Sequence, residues 1–115
     1  MTIQRHDVGP RMSQVVIHGD TVYLAGVVAD TGSAGVADQT REILAKIDGY
    51  LAKAGSDKTK ILKANIWLSD ISTFAEMNSV WDKWVSPGNT PARATVEAKL
   101  ATPAHKVEIM VVAAK

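Results

Sequence analysis

"KVEIMVVAA", residues 106–114, constrains this chain more than any other stretch. Read as a strand, it places Val107, Ile109 and Val111 on one side and Met110 and Val112 on the other, so it is apolar on both faces. At 115 residues the chain has room for one sheet and one core, residues 1–115 forming one domain. Two amphipathic helical stretches are present, and they can cover only one sheet face. A bare second face would exceed the few hundred square ångströms of apolar patch that monomers tolerate. The second face is therefore expected to be buried against copies of itself, in an oligomer.

The remaining elements follow from periodicity. "QVVIHGDTVYLAG" reads as two strands joined by His18-Gly19-Asp20-Thr21, preceded by a short strand at 2–7. "VVADTGSAG" reads as a loop. In "VADQTREILAKIDGYLAKAG" the residues Ile43, Leu44, Ile47 and Leu51 recur at helical spacing, and Gly55 stands where a C-terminal cap belongs. Gly49 inside that helix implies close packing on the sheet. "ILKANIWLSD" reads as a mostly buried strand. The next helix starts near "STFAEMNSVWDKWV", with Thr73 and Glu76 spaced as a capping box and Pro87-Gly88 ending it. Its Phe74, Met77, Trp81 and Trp84 share one face, which reads as core. "PARATVEAKL" then alternates, with Ala94, Val96, Ala98 and Leu100 on one side and Arg93, Thr95, Glu97 and Lys99 on the other. The crossover from 61–69 through the second helix to 93–100 predicts a parallel, right-handed pair. The expected fold is α+β in two layers: one mixed β-sheet with two helices on one face.

Composition excludes several function classes. There is no cysteine, which removes disulfides, thiolate metal sites and thiol nucleophiles. The net charge is +1 with both signs interspersed, a poor match to a nucleic-acid binder that neutralises phosphates. No apolar run resembles a signal peptide or a membrane span, so the cytoplasm is the expected compartment. His6, His18 and His105 lack ligand spacing, and no metal site is expected. "GSAG" lacks the lysine and spacing of a phosphate loop, and Ser13, Ser33 and Ser56 have no evident base.

Two residues stand out chemically. Arg93, stiffened by Pro91, is either a strand-end arginine paired or solvated at the surface, or a bidentate clamp for a carboxylate. Glu108, in an otherwise apolar strand, either pairs with Lys106 or Lys99, or is held in a cleft where it orients or deprotonates water. The two lie near opposite ends of their strands, about 15 Å or more apart within one subunit. If both serve one small ligand, that pocket lies between subunits.

"TPARATVEAKLATPAHKVEIMVVAA" resembles the C-terminal signature of the RidA/YjgF family: Pro-Ala-Arg, a Val soon after, Leu followed by Pro, and a Val-Glu-Ile strand. "GDTVYLAG" is similar to that family's N-terminal hairpin, and "LSDISTFAEMNSVWDKWV" to the start of its second helix, with wording most similar to the YoaB-like branch. The resemblance implies a chorismate-mutase-like α+β subunit in a homotrimer with clefts between subunits. It implies hydrolysis of reactive 2-imino and 2-enamino acids, such as 2-aminoacrylate, 2-iminopropanoate and 2-iminobutanoate, to 2-oxo acids and ammonia, without a cofactor. By position, Arg93 would bind the substrate carboxylate and Glu108 would position water. Gly26 would offer backbone to the ligand, and Asn78 would stand near the cleft wall. Thr95 occupies the place of a cysteine found in many deaminases, its amide still able to bind the carboxylate and its hydroxyl standing in part for the thiol. Ala25 replaces a frequent serine, and Arg11-Met12 stands where an aromatic residue is expected. A sensor or binding protein for small carboxylic (2-oxo) acids on the same trimer is the alternative. The endoribonuclease activity attributed to some relatives is a second one.

Overall fold

The computed structural model describes residues 1–30 and 34–115. The middle of the "VVADTGSAG" loop, with Ser33, lies outside the described residues. Six strands and two helices run in the order β1 (Ile3–Val8), β2 (Ser13–His18), β3 (Thr21–Leu24), α1 (Val36–Lys53), β4 (Ile61–Leu68), α2 (Phe74–Trp84), β5 (Ala92–Glu97) and β6 (Val107–Ala114). The strands form one mixed sheet ordered β1-β2-β3-β6-β4-β5. Among the described residues only the β4–β5 pair is parallel, as the helical crossover requires. The apolar strand β6 lies inside the sheet, antiparallel to both β3 and β4.

Local chemistry explains the element ends. His18 pairs with Thr21 across a two-residue loop, and Gly19 has φ of 61°, the positive value a type II′ hairpin needs at its first central position. α1 closes with a Schellman motif. The N–H of Ser56 donates to Leu51 C=O at 2.8 Å, and that of Gly55 to Ala52 C=O at 3.0 Å. Gly55 takes φ of 79° there, as that cap demands.

Several expectations fail, each for a physical reason. Gly49 does not approach the sheet: it lies on the exposed side of α1, and a Cβ built on it would meet nothing within 4 Å. Gly49→Ala should therefore stabilise the fold by about 0.5–1 kcal/mol, read as an upward shift in urea midpoint. A neutral or negative result would show a contact not present in the subunit.

Thr73 and Glu76 do not form a capping box. Asp70 instead accepts from the Ser72 N–H (2.9 Å) and hydroxyl (2.7 Å), opening a 3₁₀ turn at Ile71–Thr73 that feeds α2. Those bonds hold the Asp70 carboxyl below its ordinary pKa. Glu76 reaches across to α1, whose N-cap Gly35 has no side chain, and accepts from the Ala37 N–H at 3.0 Å. One helix caps the next through a carboxylate placed at the positive end of its dipole.

On β5 the side covered by the helices is the polar one. Register puts Arg93, Thr95 and Glu97 beside Ala64, Ile66 and Leu68, whose side chains are all buried under the helices. Ala92, Ala94 and Val96 point the other way, and Val96 is 50% exposed. The polar side of the strand faces the helices and its apolar side lies open.

The core fills the helix face: Val15, Ile17, Val22, Leu24, Ala64, Ile66, Leu68, Val107, Ile109 and Val111 meet Ile43, Leu44, Ile47 and Leu51 of α1 and Met77, Val80 and Trp81 of α2. The molecule is a slab of 42 × 37 × 20 Å, and 20 Å matches one sheet plus one helix layer. On its uncovered face the register sets Val16, Tyr23 and Val112 in one row with Lys63, Met110 beside Asn65, and Trp67 between Glu108 and Val96. Tyr23 is 43% and Met110 39% exposed. Leu62, expected in a mostly buried strand, is exposed as well, beside a bulge between Ile61 and Lys63.

Candidate functional site

Arg93 is the second residue of β5, half-buried beneath α2. Its guanidinium donates from Nη1 to Asn78 Oδ1 at 2.8 Å. The guanidinium carbon lies 5.2 Å from the Trp81 ring centroid and 5.8 Å from that of Phe74. A cation held by two π faces and an amide oxygen is favourably placed without a counter-charge. Among the described residues no carboxylate forms an ion pair with it. The fork is therefore oriented by Asn78 and the two rings rather than by a carboxylate among the described residues.

The strand geometry adds a second donor. Ala98 N–H donates to Leu68 C=O at 2.9 Å, so the even-numbered residues of β5 turn their backbone groups toward β4. Alternate residues turn theirs the other way. Arg93 and Thr95 thus direct their N–H groups to the free edge of the sheet, because β5 is its last strand. The Thr95 hydroxyl behaves differently: its Oγ1 is enclosed and has no hydrogen-bond partner among the described residues. What Thr95 presents outward is its amide.

Glu108 is the second residue of β6, and register with Trp67 places it on the open face. It forms no hydrogen bond or ion pair among the described residues, and neither Lys106 nor Lys99 pairs with it. Its carboxylate lies against Gly26. A Cβ built on Gly26 would be 2.1 Å from Glu108 Oε2, so glycine here is what leaves room for the carboxylate in this position. Gly26 is fixed by the next residue, since Val27 exchanges backbone bonds of 2.8 and 3.1 Å with Ile109. Further along that segment, Lys46 Nζ donates to Val28 C=O at 3.0 Å and pairs with Asp30 (2.9 Å) and Glu42 (3.4 Å). Burial lowers the Lys46 pKa, but the two carboxylates outweigh it and the net shift is upward.

The sequence-derived residues thus fall into two groups. Arg93, Thr95 and Asn78 gather at the β5 edge under α2. Gly26 and Glu108 gather on the open face, at the sheet end that also holds Ala25, hydrogen-bonded to Gln14 C=O, and Met12 just before β2. Three rows and two strand spacings separate Arg93 from Glu108, about 14 Å on a flat sheet, and they lie on opposite faces.

Phe74 and Trp81 form the cradle of Arg93, where their spacing reads as core; Trp81 is buried as expected, but Phe74 is 40% exposed, so it is not core. Sequence reasoning also missed Gln39. This wholly buried amide donates to Ala34 C=O (3.1 Å) and Ala104 C=O (2.9 Å) and accepts from Lys106 N–H (2.9 Å). It ties α1 to the start of β6, where Glu108 stands. Two of its three partners are 65 and 67 residues away, beyond any local pattern.

The subunit is thus an α+β sheet with Arg93, free of any ion pair among the described residues, at one edge, and the Glu108 carboxylate on its open face. The family model described as Endoribonuclease L-PSP matches residues 2–115. The chain belongs to that family, the RidA/YjgF family. It is 49% identical over 114 residues to the RutC family protein YoaB of Escherichia coli K12, with 99% of both chains covered. It is 32% identical over 112 residues to a bovine protein named 2-iminobutanoate/2-iminopropanoate deaminase, covering 92% of this chain and 80% of that one. A crystal structure of a YjgF-family protein from Neisseria meningitidis superposes with a TM-score of 0.97 at 47% identity, covering 100% of this chain and 96% of that one. No helix among the described residues is long and apolar enough to cross a membrane.

Proposed function

We propose that this protein hydrolyses small 2-imino and 2-enamino acids to 2-oxo acids and ammonia, in clefts between the subunits of a homotrimer. The observation that carries this reading is Arg93 itself: cradled by Asn78, Phe74 and Trp81, beside the outward Thr95 amide, and without an ion pair among the described residues. A substrate carboxylate completes that arrangement through charge-assisted bonds from the guanidinium fork and the amide. The bovine relative's name supports the substrate class. The apolar open face supports the assembly, and a trimer brings Glu108 of a neighbouring subunit to the β5 edge.

In that cleft the imine carbon is already electrophilic. Glu108 takes a proton from water as the water oxygen bonds to C2 of the protonated imine, giving a carbinolamine. That proton passes to the amino nitrogen, the C–N bond breaks as ammonia leaves, and the hydroxyl gives its proton back to Glu108 as it becomes the 2-oxo group. Positioning and one base suffice, with no covalent nucleophile. An enamine enters the same path after protonation at its terminal carbon. The near-neutral charge balance gives little support to RNA as a substrate.

The test uses 2-iminopropanoate and 2-iminobutanoate generated in situ by an amino-acid oxidase, with native mass measured alongside. Turnover above background is expected from an assembly of three 12.3 kDa chains. Arg93→Lys keeps the charge but loses the fork, and should raise KM roughly tenfold. An assembled wild type that does not exceed background on either imine overturns the reading. Binding of 2-oxo acids would then be the function to measure.

A further inference from the structure

We propose that the groove between α1 and α2, on the side of the molecule away from the sheet, binds a small amphipathic monoanion: a flat apolar body with a single acidic head. The groove has a volume of about 360 Å³, the size of a small-molecule site. Buried Leu44 and Val80 form its floor, and Trp84 forms one wall. That indole is locked in place. Its Nε1–H donates to Asp48 Oδ2 at 3.0 Å, Lys58 Nζ lies 5.4 Å from its ring centroid, and Trp81 packs at 5.3 Å with a 51° tilt.

The charges of the groove are unbalanced. Arg41, Lys58 and Lys83 stand around it, while Asp48 is its one lining carboxylate and is engaged by Trp84. Arg41 is shared with Asp38 at 2.7 Å, and Lys58 lies over the indole. Lys83 has no ion pair among the described residues. An apolar floor rejects sugars and strongly hydrated ions, and a cationic rim rejects amines. What fits both is an apolar anion, its ring on Leu44, Val80 and Trp84 and its head at Lys83. Neither Arg93 nor its partners Phe74, Asn78 and Trp81 line the groove, although Trp81 packs between Arg93 and Trp84. The groove faces outward if the sheet face is the one that assembles, and it does not depend on the deaminase reading.

The experiment follows the Trp84 indole N–H by two-dimensional NMR on the intact protein, its resonance assigned with Trp84→Phe. Benzoate and inorganic phosphate are titrated separately to about 10 mM, a range in which millimolar sites fill. Benzoate should shift the signal saturably. Lys83→Ala should weaken binding about fivefold, the loss of one screened charge contact. Ala45→Glu, at an exposed helix position lining the groove, should abolish it while preserving the fold. Arg93→Ala should bind as wild type does. No saturable shift, equal affinity in Lys83→Ala, or loss in Arg93→Ala overturns the site. Phosphate binding as tightly as benzoate overturns the amphipathic ligand.

Discussion

Two inactive variants, Arg93→Ala and Glu108→Gln, should together recover about one quarter of wild-type turnover once their subunits are allowed to mix. Alone, each should fall to about 1% or less. On the proposed mechanism, Arg93→Ala would remove two charge-assisted bonds worth roughly 1.5–3 kcal/mol each, and Glu108→Gln a base worth about 10²–10⁴ in rate. The recovery follows from placement. Arg93 and Glu108 occupy opposite faces of one sheet, so one small ligand meets both only where two subunits join. In a random 1:1 assembly, a cleft is whole when its arginine comes from a Glu108→Gln subunit and its glutamate from an Arg93→Ala subunit. Each condition holds half the time, which leaves about one cleft in four intact. The measurement is imine hydrolysis by co-expressed, differently tagged variants, with mixed oligomers verified by native mass spectrometry. Mixed assemblies that remain at the single-variant level would show that no cleft is shared in this way.

The placement was legible in the sequence only in part, and the reason differs from residue to residue. The apolar character of both sides of residues 107–112 is a local property, so the need to cover two faces could be read directly. The hairpin at Gly19 and the cap at Gly55 were equally legible, because glycine at positive φ leaves a fixed signature. Arg93 and Glu108 drew attention through chemistry out of keeping with their neighbours. The side on which Arg93 lies was not legible. Alternation sorts residues into polar and apolar sides and assigns water to the polar one, but an arginine stacked on Phe74 and Trp81 and bonded to Asn78 reverses that assignment. The apolar side of β5 is then free to extend the open face of Met110 and Trp67. Glu76 was misread for a related reason. Its spacing from Thr73 is local, while its real partner, the Ala37 amide, belongs to another helix. Gly49 was misread because a glycine tolerated for want of pressure looks the same in sequence as one demanded by packing.

Gly26→Ala should lower kcat/KM about 100-fold while leaving stability within about 0.5 kcal/mol of wild type. The new Cβ would fall 2.1 Å from Glu108 Oε2, far inside any real contact. Backbone bonds between Val27 and Ile109 hold the two segments together, so the main chain resists moving. The carboxylate is the far end of a flexible side chain and can swing away, which spares the fold. Such a swing displaces the base by more than 1 Å, and a misplacement of that size can cost about 10²-fold in rate. Thermal unfolding and imine turnover, measured on the same sample, separate the two effects. A double variant makes the argument sharper. If Gly26 matters only by leaving room for Glu108, then Gly26→Ala combined with Glu108→Gln should be no slower than Glu108→Gln alone. Additive losses would mean that Gly26 also meets the ligand through its own backbone. Unchanged turnover in Gly26→Ala would mean that the carboxylate does its work from somewhere other than its place against Gly26.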